Sequence, residues 1–249
     1  LKTTMNNRGL VERFPLEIGE RTIYCIVRKH PRAKRVSVRI LSRSEVVLVV
    51  PEKGSLGNAK EFLVSKREWI AKKTFQLPER ESWKSFFRKT PSLWLDRKER
   101  KLCWEFSPDR KKITYHVESD FIQASFPEGN DEDDMLFSLV VKLATIYLPQ
   151  RLELCAEKVD VSYDRTRVGN QSSRWGSCSS RRVISLNWRI LLLDHNLGEY
   201  VLYHELAHLK HMNHSIHYWQ LLEEWVPGAR KLDQELNRQG RRLMLLGES

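Results

Sequence analysis

The chain has 249 residues, 41% hydrophobic and 30% charged. That composition is ordinary for a globular protein, and the length suits one large domain or two smaller ones. No apolar run approaches the roughly 20 residues needed to span a bilayer, which argues against a membrane partner, and Leu1–Asn6 lacks the apolar core of a signal peptide. Lys and Arg number 43 against 32 Asp and Glu, a net charge of +11 that suits polyanionic partners or simply a well-solvated surface.

Residues 10–50 read as β-structure. Val36, Val38 and Ile40 alternate with Ser37 and Arg39, and the apolar run Val46–Val50 is ended by Pro51 and Gly54. Leu41–Glu45 lies between them as a hairpin connection. Arg28, Lys29, His30, Arg32, Lys34, Arg35 and Arg39 crowd the segment 28–39, a candidate contact for nucleic acid or a triphosphate, or a solvated face of a sheet. Residues 56–73 read as one helix, with Phe62, Leu63, Trp69 and Ile70 along its apolar stripe. Short β-pieces follow at 102–106, 113–117 and 121–126. The turn cluster Pro127-Glu128-Gly129-Asn130 marks the expected boundary between a β-rich region, 1–130, and a second domain, 131–249. No internal repeat is apparent.

The acidic run Asp131–Asp134 opens an apolar helix whose dipole it complements. Pro149 is expected to break or kink that helix, with a second helical piece at 151–158. Residues 169–182 read as a Gly, Ser and Arg loop, and 183–190 as a strand. Helices are expected at about 198–211 and 215–225, ending before Pro227-Gly228, and again from Ala229. The four cysteines, Cys25, Cys103, Cys155 and Cys178, form no CxxC pair, so free thiols in a reducing, cytoplasmic setting are expected.

The sharpest signal is His204-Glu205-Leu206-Ala207-His208. Residues four apart share a helix face, so His204 and His208 can aim imidazole nitrogens at one ion. Glu205 lies about 100° further round. That position suits a group beside the ion, which accepts a proton from the water the ion activates. This is the mechanical content of H-E-x-x-H and points to Zn2+. Val201, Leu202, Tyr203, Leu206, Ala207 and Leu209 make the helix largely apolar, and ionisable groups on a buried helix need a partner. A third ligand is still required, from among His211, His214, His217, Glu223 and Glu224. His211 on a straight helix would sit about 10 Å along the axis from His204, so the chain must turn after His208 and return. Asn213 suits the turn as a left-handed residue, and Ser215 suits the next N-cap. That puts His214 at the corner, at the metzincin spacing, although His211 stands where that pattern has Gly. Glu223 or Glu224 is the alternative ligand.

The stretch Arg174-Trp175-Gly176-Ser177-Cys178-Ser179, then Ile184–Arg189, then Tyr200-Val201 and His204–Ser215 with Tyr218-Trp219, resembles the YgjP-like metal-dependent hydrolase or metallopeptidase family, a relative of the SprT-type proteases. Arg32–Arg39, the strand ending at Pro51, and Lys66–Ile70 extend the likeness, which is weak over about 78–160. The resemblance implies an α+β chain with a zincin-like C-terminal domain, zinc on His204, His208 and His214, and Glu205 as general base. It also implies an edge strand beside the active-site helix to which extended peptides add, and the strand holding Asn187 suits that place. One branch of the family is associated with UTP pyrophosphatase activity. Arg174 is a candidate for gripping a substrate carboxylate or phosphate, or a developing oxyanion, with Asn187 beside it. Trp175 reads as core packing, Gly176 as a tight turn and Cys178 as a small hydrophobe. Three readings result: a zinc peptidase, a zinc nucleotide pyrophosphatase, and a nucleic-acid-binding module retaining a metal site.

Overall fold

The computed structural model describes residues 10–77, 81–171 and 173–246. The segment Leu1–Asn6 lies outside them. The fold is α+β, built as two compact units that divide between Arg80 and Glu81.

In the first unit, β1 (Leu10–Ile18), β2 (Arg21–His30), β3 (Ser37–Ile40) and β4 (Glu45–Pro51) form a sheet in the order β1-β2-β4-β3. Strand β2 runs parallel to β4, and both outer pairs are antiparallel. The alternation read from sequence sets the faces. Cys25, Val27, Val46, Leu48 and Val50 point to one side and form a core with Ala59, Leu63 and Ile70. The single helix expected over 56–73 is two, α1 (Leu56–Ser65) and α2 (Arg67–Phe75), separated at Lys66. The break lets each short helix turn one apolar side, Leu63 or Ile70, onto the sheet, while Trp69 stays 43% exposed.

The second unit begins with α3 (Trp83–Lys89), then β5 (Ser92–Leu95), β6 (Lys98–Ser107), β7 (Thr114–Val117) and β8 (Phe121–Pro127). Their order is β5-β6-β8-β7, with β6 parallel to β8 and both outer pairs antiparallel. This is the topology of the first sheet over again, a repeat of architecture that the residues themselves do not display. The turn at 127–130 is therefore a loop inside the second unit, and the boundary expected there falls at 80/81 instead. The reason is the shared core: Leu93, Leu95, Leu102, Ile122, Ala124 and Phe126 of this sheet join the same apolar cluster as the C-terminal helices.

Helix α4 (Glu132–Lys158) carries that cluster. Asp131 caps it, its carboxylate accepting from the Asp134 amide at 3.0 Å. The helix runs through Pro149 without ending, because buried residues lie on both sides: Leu143, Ala144 and Leu148 before it, Leu152, Cys155 and Ala156 after. Each buried Leu contributes roughly 1.5–3 kcal/mol, enough together to offset the roughly 3 kcal/mol of an interior proline. By length and composition, α4 is also the one described helix that could cross a bilayer; its apolar residues are divided between this core and exposed positions such as Leu154.

A second small sheet follows, β10 (Gly176–Cys178), β11 (Val183–Asn187) and β9 (Arg165–Gly169), in the order β10-β11-β9. Strand β11 is central, parallel to β9 and antiparallel to β10. The edge position expected for the Asn187 strand belongs to β10, because Arg165–Gly169, too polar to read as a strand, pairs on the far side. A 3-10 turn, Trp188–Leu192, leads into α5 (His195–Ala207), followed by α6 (Ile216–Trp225) and α7 (Ala229–Met244).

Truncating Leu148, fully buried on α4, to Ala is expected to cost about 2–5 kcal/mol, whereas Leu154→Ala, at a position 52% exposed on the same helix, should change stability by about 0.5 kcal/mol or less. Urea denaturation of the two variants measures the contrast.

Candidate metal centre

Helix α5 is capped by Asp194, whose carboxylate accepts from the Leu197 amide at 3.0 Å. It ends at Ala207, four residues before the expected end, with His208 as its C-cap. The turn after it places the His211 amide on the Ala207 carbonyl at 3.0 Å. Asn213 lies in a bend but is not among the residues with positive φ, so the return of the chain needs no left-handed residue there. Ser215 caps α6 as expected, its hydroxyl accepting from the Tyr218 amide at 3.3 Å.

The outcome of this corner is a cluster of His204, His208 and His214, whose ligand atoms all lie within 4.8 Å of one another. Hydrogen bonds fix two of the tautomers. The Tyr200 hydroxyl donates its single proton to Asp233 Oδ1 at 2.9 Å. Toward His204 Nδ1, 3.2 Å away, it can therefore only accept, so that nitrogen carries the proton. His208 Nδ1 lies 3.1 Å from the His211 carbonyl, which only accepts, so it too is protonated. In both rings Nε2 is left bare, as a ligand must be. Burial, reinforced by the neighbouring imidazoles, holds His204 down at about 3, and burial likewise lowers His208. The rings are thus neutral donors at ordinary pH. His204 Nε2 and His214 Nε2 are 3.2 Å apart. Two nitrogens sharing a tetrahedral ion at 2.0–2.1 Å would stand about 3.3 Å apart, so the spacing fits common ligation.

Tyr218 completes the wall. It is fully buried, its hydroxyl donates to the His204 carbonyl at 3.2 Å, and its ring stacks on His208 with centroids 4.8 Å apart. The other candidate ligands are elsewhere engaged or exposed. The Glu223 carboxylate accepts from the amides of Gly228 at 2.8 Å and Arg230 at 3.0 Å, capping the start of α7. Glu224 and His217 are exposed, and the His211 ring faces His217, centroids 6.2 Å apart.

Glu205 is 4% exposed, and its Oε2 is buried without a hydrogen-bond partner. Burial pushes its carboxyl up to about 8, against the opposing pull of the Arg174 guanidinium. A cation held by the three imidazoles would act in the same direction as Arg174. Strand β10 lies directly over this side chain. A Cβ on Gly176 would stand 2.5 Å from Glu205 Oε1 and 2.7 Å from Cδ and Cγ. Gly176 is thus required for close approach, where a tight turn was the expectation.

Arg174 is exposed and close enough to Glu205 to act on its charge. Asn187 is different. It is fully buried, and its amide donates to the carbonyls of Gln171 at 2.8 Å and Arg174 at 3.0 Å while its Oδ1 accepts from the Arg189 amide at 3.1 Å. It does not open onto the site; it holds the loop that presents Arg174. Arg189 anchors the other end, donating to the carbonyls of Leu243 at 2.9 Å and Leu246 at 3.1 Å, in and just after the last turn of α7. Cys178 lies near enough to Glu205 to feel its charge, with its thiol raised by burial, and all four cysteines are free.

Sequence reasoning missed the orienting role of Tyr200, the part of Asp233 and the steric role of Gly176. Tyr200 sits four residues before His204, on the same helix face, a signal that was available. Asp233 is on another helix and had none.

No curated protein matches the chain. One solved structure with a likeness is the crystal structure of the metallopeptidase zymogen of Pyrococcus abyssi abylysin, 26% identical, with the match covering 37% of this chain and 94% of that one at a TM-score of 0.33. The family model described as the YgjP-like metallopeptidase domain matches residues 34–239, which takes in the three histidines, Glu205, Gly176 and Asp233. The chain belongs to this YgjP-like family of metallopeptidase domains and is a metal-dependent hydrolase.

Proposed function

We propose that the chain is a zinc peptidase in which His204, His208 and His214 hold the ion and Glu205 is the general base. The observation that carries this reading is the convergence of three imidazole nitrogens beside a buried carboxylate oxygen with no partner of its own. Three imidazole nitrogens, with no thiolate or carboxylate among them, match a catalytic zinc site that keeps one position open. Bound there, zinc would supply a Lewis acid that polarises the scissile carbonyl and makes water a better nucleophile near neutral pH.

The chain's own groups do the rest. Glu205 Oε2 takes a proton from the attacking water as the new C–O bond forms. It then delivers that proton to the leaving amide nitrogen as the C–N bond breaks, which returns the carboxylate. Gly176 holds the carboxylate in position by leaving no room for it to retreat. Arg174 offers a cation to the oxygen that gains negative charge, or to a substrate carboxylate. Strand β10 is one of the two edges of its sheet and pairs with β11 on one side only. A peptide adding to it as an antiparallel or parallel strand would run past Glu205. The nucleotide reading draws on the basic segment 28–39, which belongs to the first unit; no observation at the histidine cluster favours it.

His214→Ala should strip the metal from the purified protein, and Glu205→Gln should retain it while turnover of a peptide library falls by about 100-fold or more. Atomic absorption and peptide cleavage, run beside nucleoside triphosphate hydrolysis, give the answer. Full metal retention in His214→Ala would remove that ligand, and triphosphate turnover lost in Glu205→Gln without any peptide cleavage would replace the peptidase reading.

Gly176→Ala should keep its metal yet lose about 100-fold in kcat, because the added methyl displaces Glu205 by a fraction of a bond length or more. A kcat equal to wild type would show that the close approach has no catalytic part.

A further inference from the structure

The first unit carries a cationic cleft that the peptidase reading does not use. Strand β2 ends at His30, and the chain turns there, the Ala33 amide donating to the His30 carbonyl at 3.1 Å and the Arg32 amide to His30 Nδ1 at 3.2 Å. It then enters β3, an edge strand of the sheet. Register decides which side chains meet. Val49 pairs with Arg28 on one side and Ser37 on the other, and Arg39 lies two residues along from Ser37. These positions share the face opposite the apolar core. The turn residues Arg32, Lys34 and Arg35 join Ser37, Arg39 and Val49 around a cleft of about 490 Å³.

Three properties narrow what it takes. No acidic residue lines it. Among the described residues none of Arg32, Lys34, Arg35 and Arg39 forms an ion pair, and all four are exposed. Arg28, the cross-strand neighbour of Val49, has its Nε buried without a hydrogen-bond partner. Four cations held close together without counter-charges repel one another and favour an anion of several charges. The cleft has no Trp, Tyr or Phe on its lining, and its one ring, His30, is tied to the turn by the Arg32 amide, so it lacks the row of aromatic platforms on which successive bases stack. Its cations are strung along a turn and an edge strand, where a terminal phosphate cluster would need them converging on one point. A chain of phosphates with the bases pointing away fits that layout.

We propose that this cleft binds the phosphodiester backbone of a nucleic acid, without reading its sequence, through Arg32, Lys34, Arg35 and Arg39. The inference is independent of the peptide chemistry, and its variants leave the histidine cluster untouched.

The test is fluorescence anisotropy of the full-length, metal-loaded chain with labelled single-stranded and duplex DNA, with the nucleoside triphosphates and inorganic tripolyphosphate as competitors. Four phosphate contacts predict a log–log salt slope of about −2.8 to −3.6, or roughly 50- to 150-fold weaker binding on going from 50 to 200 mM salt. Arg35→Glu/Arg39→Glu should lower the magnitude of that slope by about 1.4–1.8, with Arg35→Gln/Arg39→Gln as the milder variant should charge reversal disturb the sheet. Lys72→Glu/Lys73→Glu, two exposed cations on α2, should leave the slope where it was. Equal loss in the α2 variant would reduce the effect to net charge and overturn the proposal. So would full displacement by tripolyphosphate or a nucleoside triphosphate at concentrations matched in phosphate, which would make the cleft a free-phosphate site.

Discussion

Three imidazoles can share an ion only if the helix carrying two of them stops short of the third. Helix α5 does so at Ala207, and its termination is built from backbone as much as from side chains. The His211 amide closes on Ala207, and the His211 carbonyl in turn accepts from His208 Nδ1. The same few residues therefore end the helix and set the tautomer of a candidate ligand. The Tyr200–Asp233 bond does the corresponding work for His204, and Tyr218 packs between all three rings. Each element around the cluster thus has a packing role and an orienting role at once, which is how a rigid scaffold holds a site within the narrow tolerance catalysis requires.

Glu205 shows the opposite strategy. A carboxylate at 4% exposure with a free oxygen costs stability. The fold accepts that cost by pressing β10 onto the side chain at a position where only glycine fits. Two further glycines of the second unit repeat the device. Gly198 admits the Arg151 guanidinium, and Gly240 admits the Trp175 ring, each at distances no Cβ would tolerate. Trp175 neighbours Gly176, so the strand over Glu205 is fixed on both sides by close approaches.

Much of this could be read in the residues, and the rest could not for definite reasons. His204, Glu205 and His208 announce themselves because helical spacing alone makes them a set, and His214 follows from the length of helix that one ion can tolerate. Asp233 was invisible because it meets Tyr200 across 33 positions of sequence, through a contact between helices that no local pattern encodes. Pro149 misled because the propensity penalty is local, while the compensation, buried side chains before and after it, is tertiary. Lys66 misled in the other direction: no glycine or proline marks the break, which comes from two short helices each seeking the same sheet. The boundary at 127–130 was wrong because a turn cluster marks a change of direction, whereas a unit ends where its core ends.

The bond from Tyr200 to Asp233 has a consequence for how the protein is made. Asp233 sits on α7, the last helix described, and Arg189 must also reach the carbonyls at 243 and 246. A chain emerging from the ribosome exposes all three histidines before either partner exists. At that stage His204 has no carboxylate behind it to settle its proton. On the proposed ligand set, capture of an ion in its final geometry would be a late event in synthesis, with α7 as the closing step that turns three loosely gathered side chains into one site.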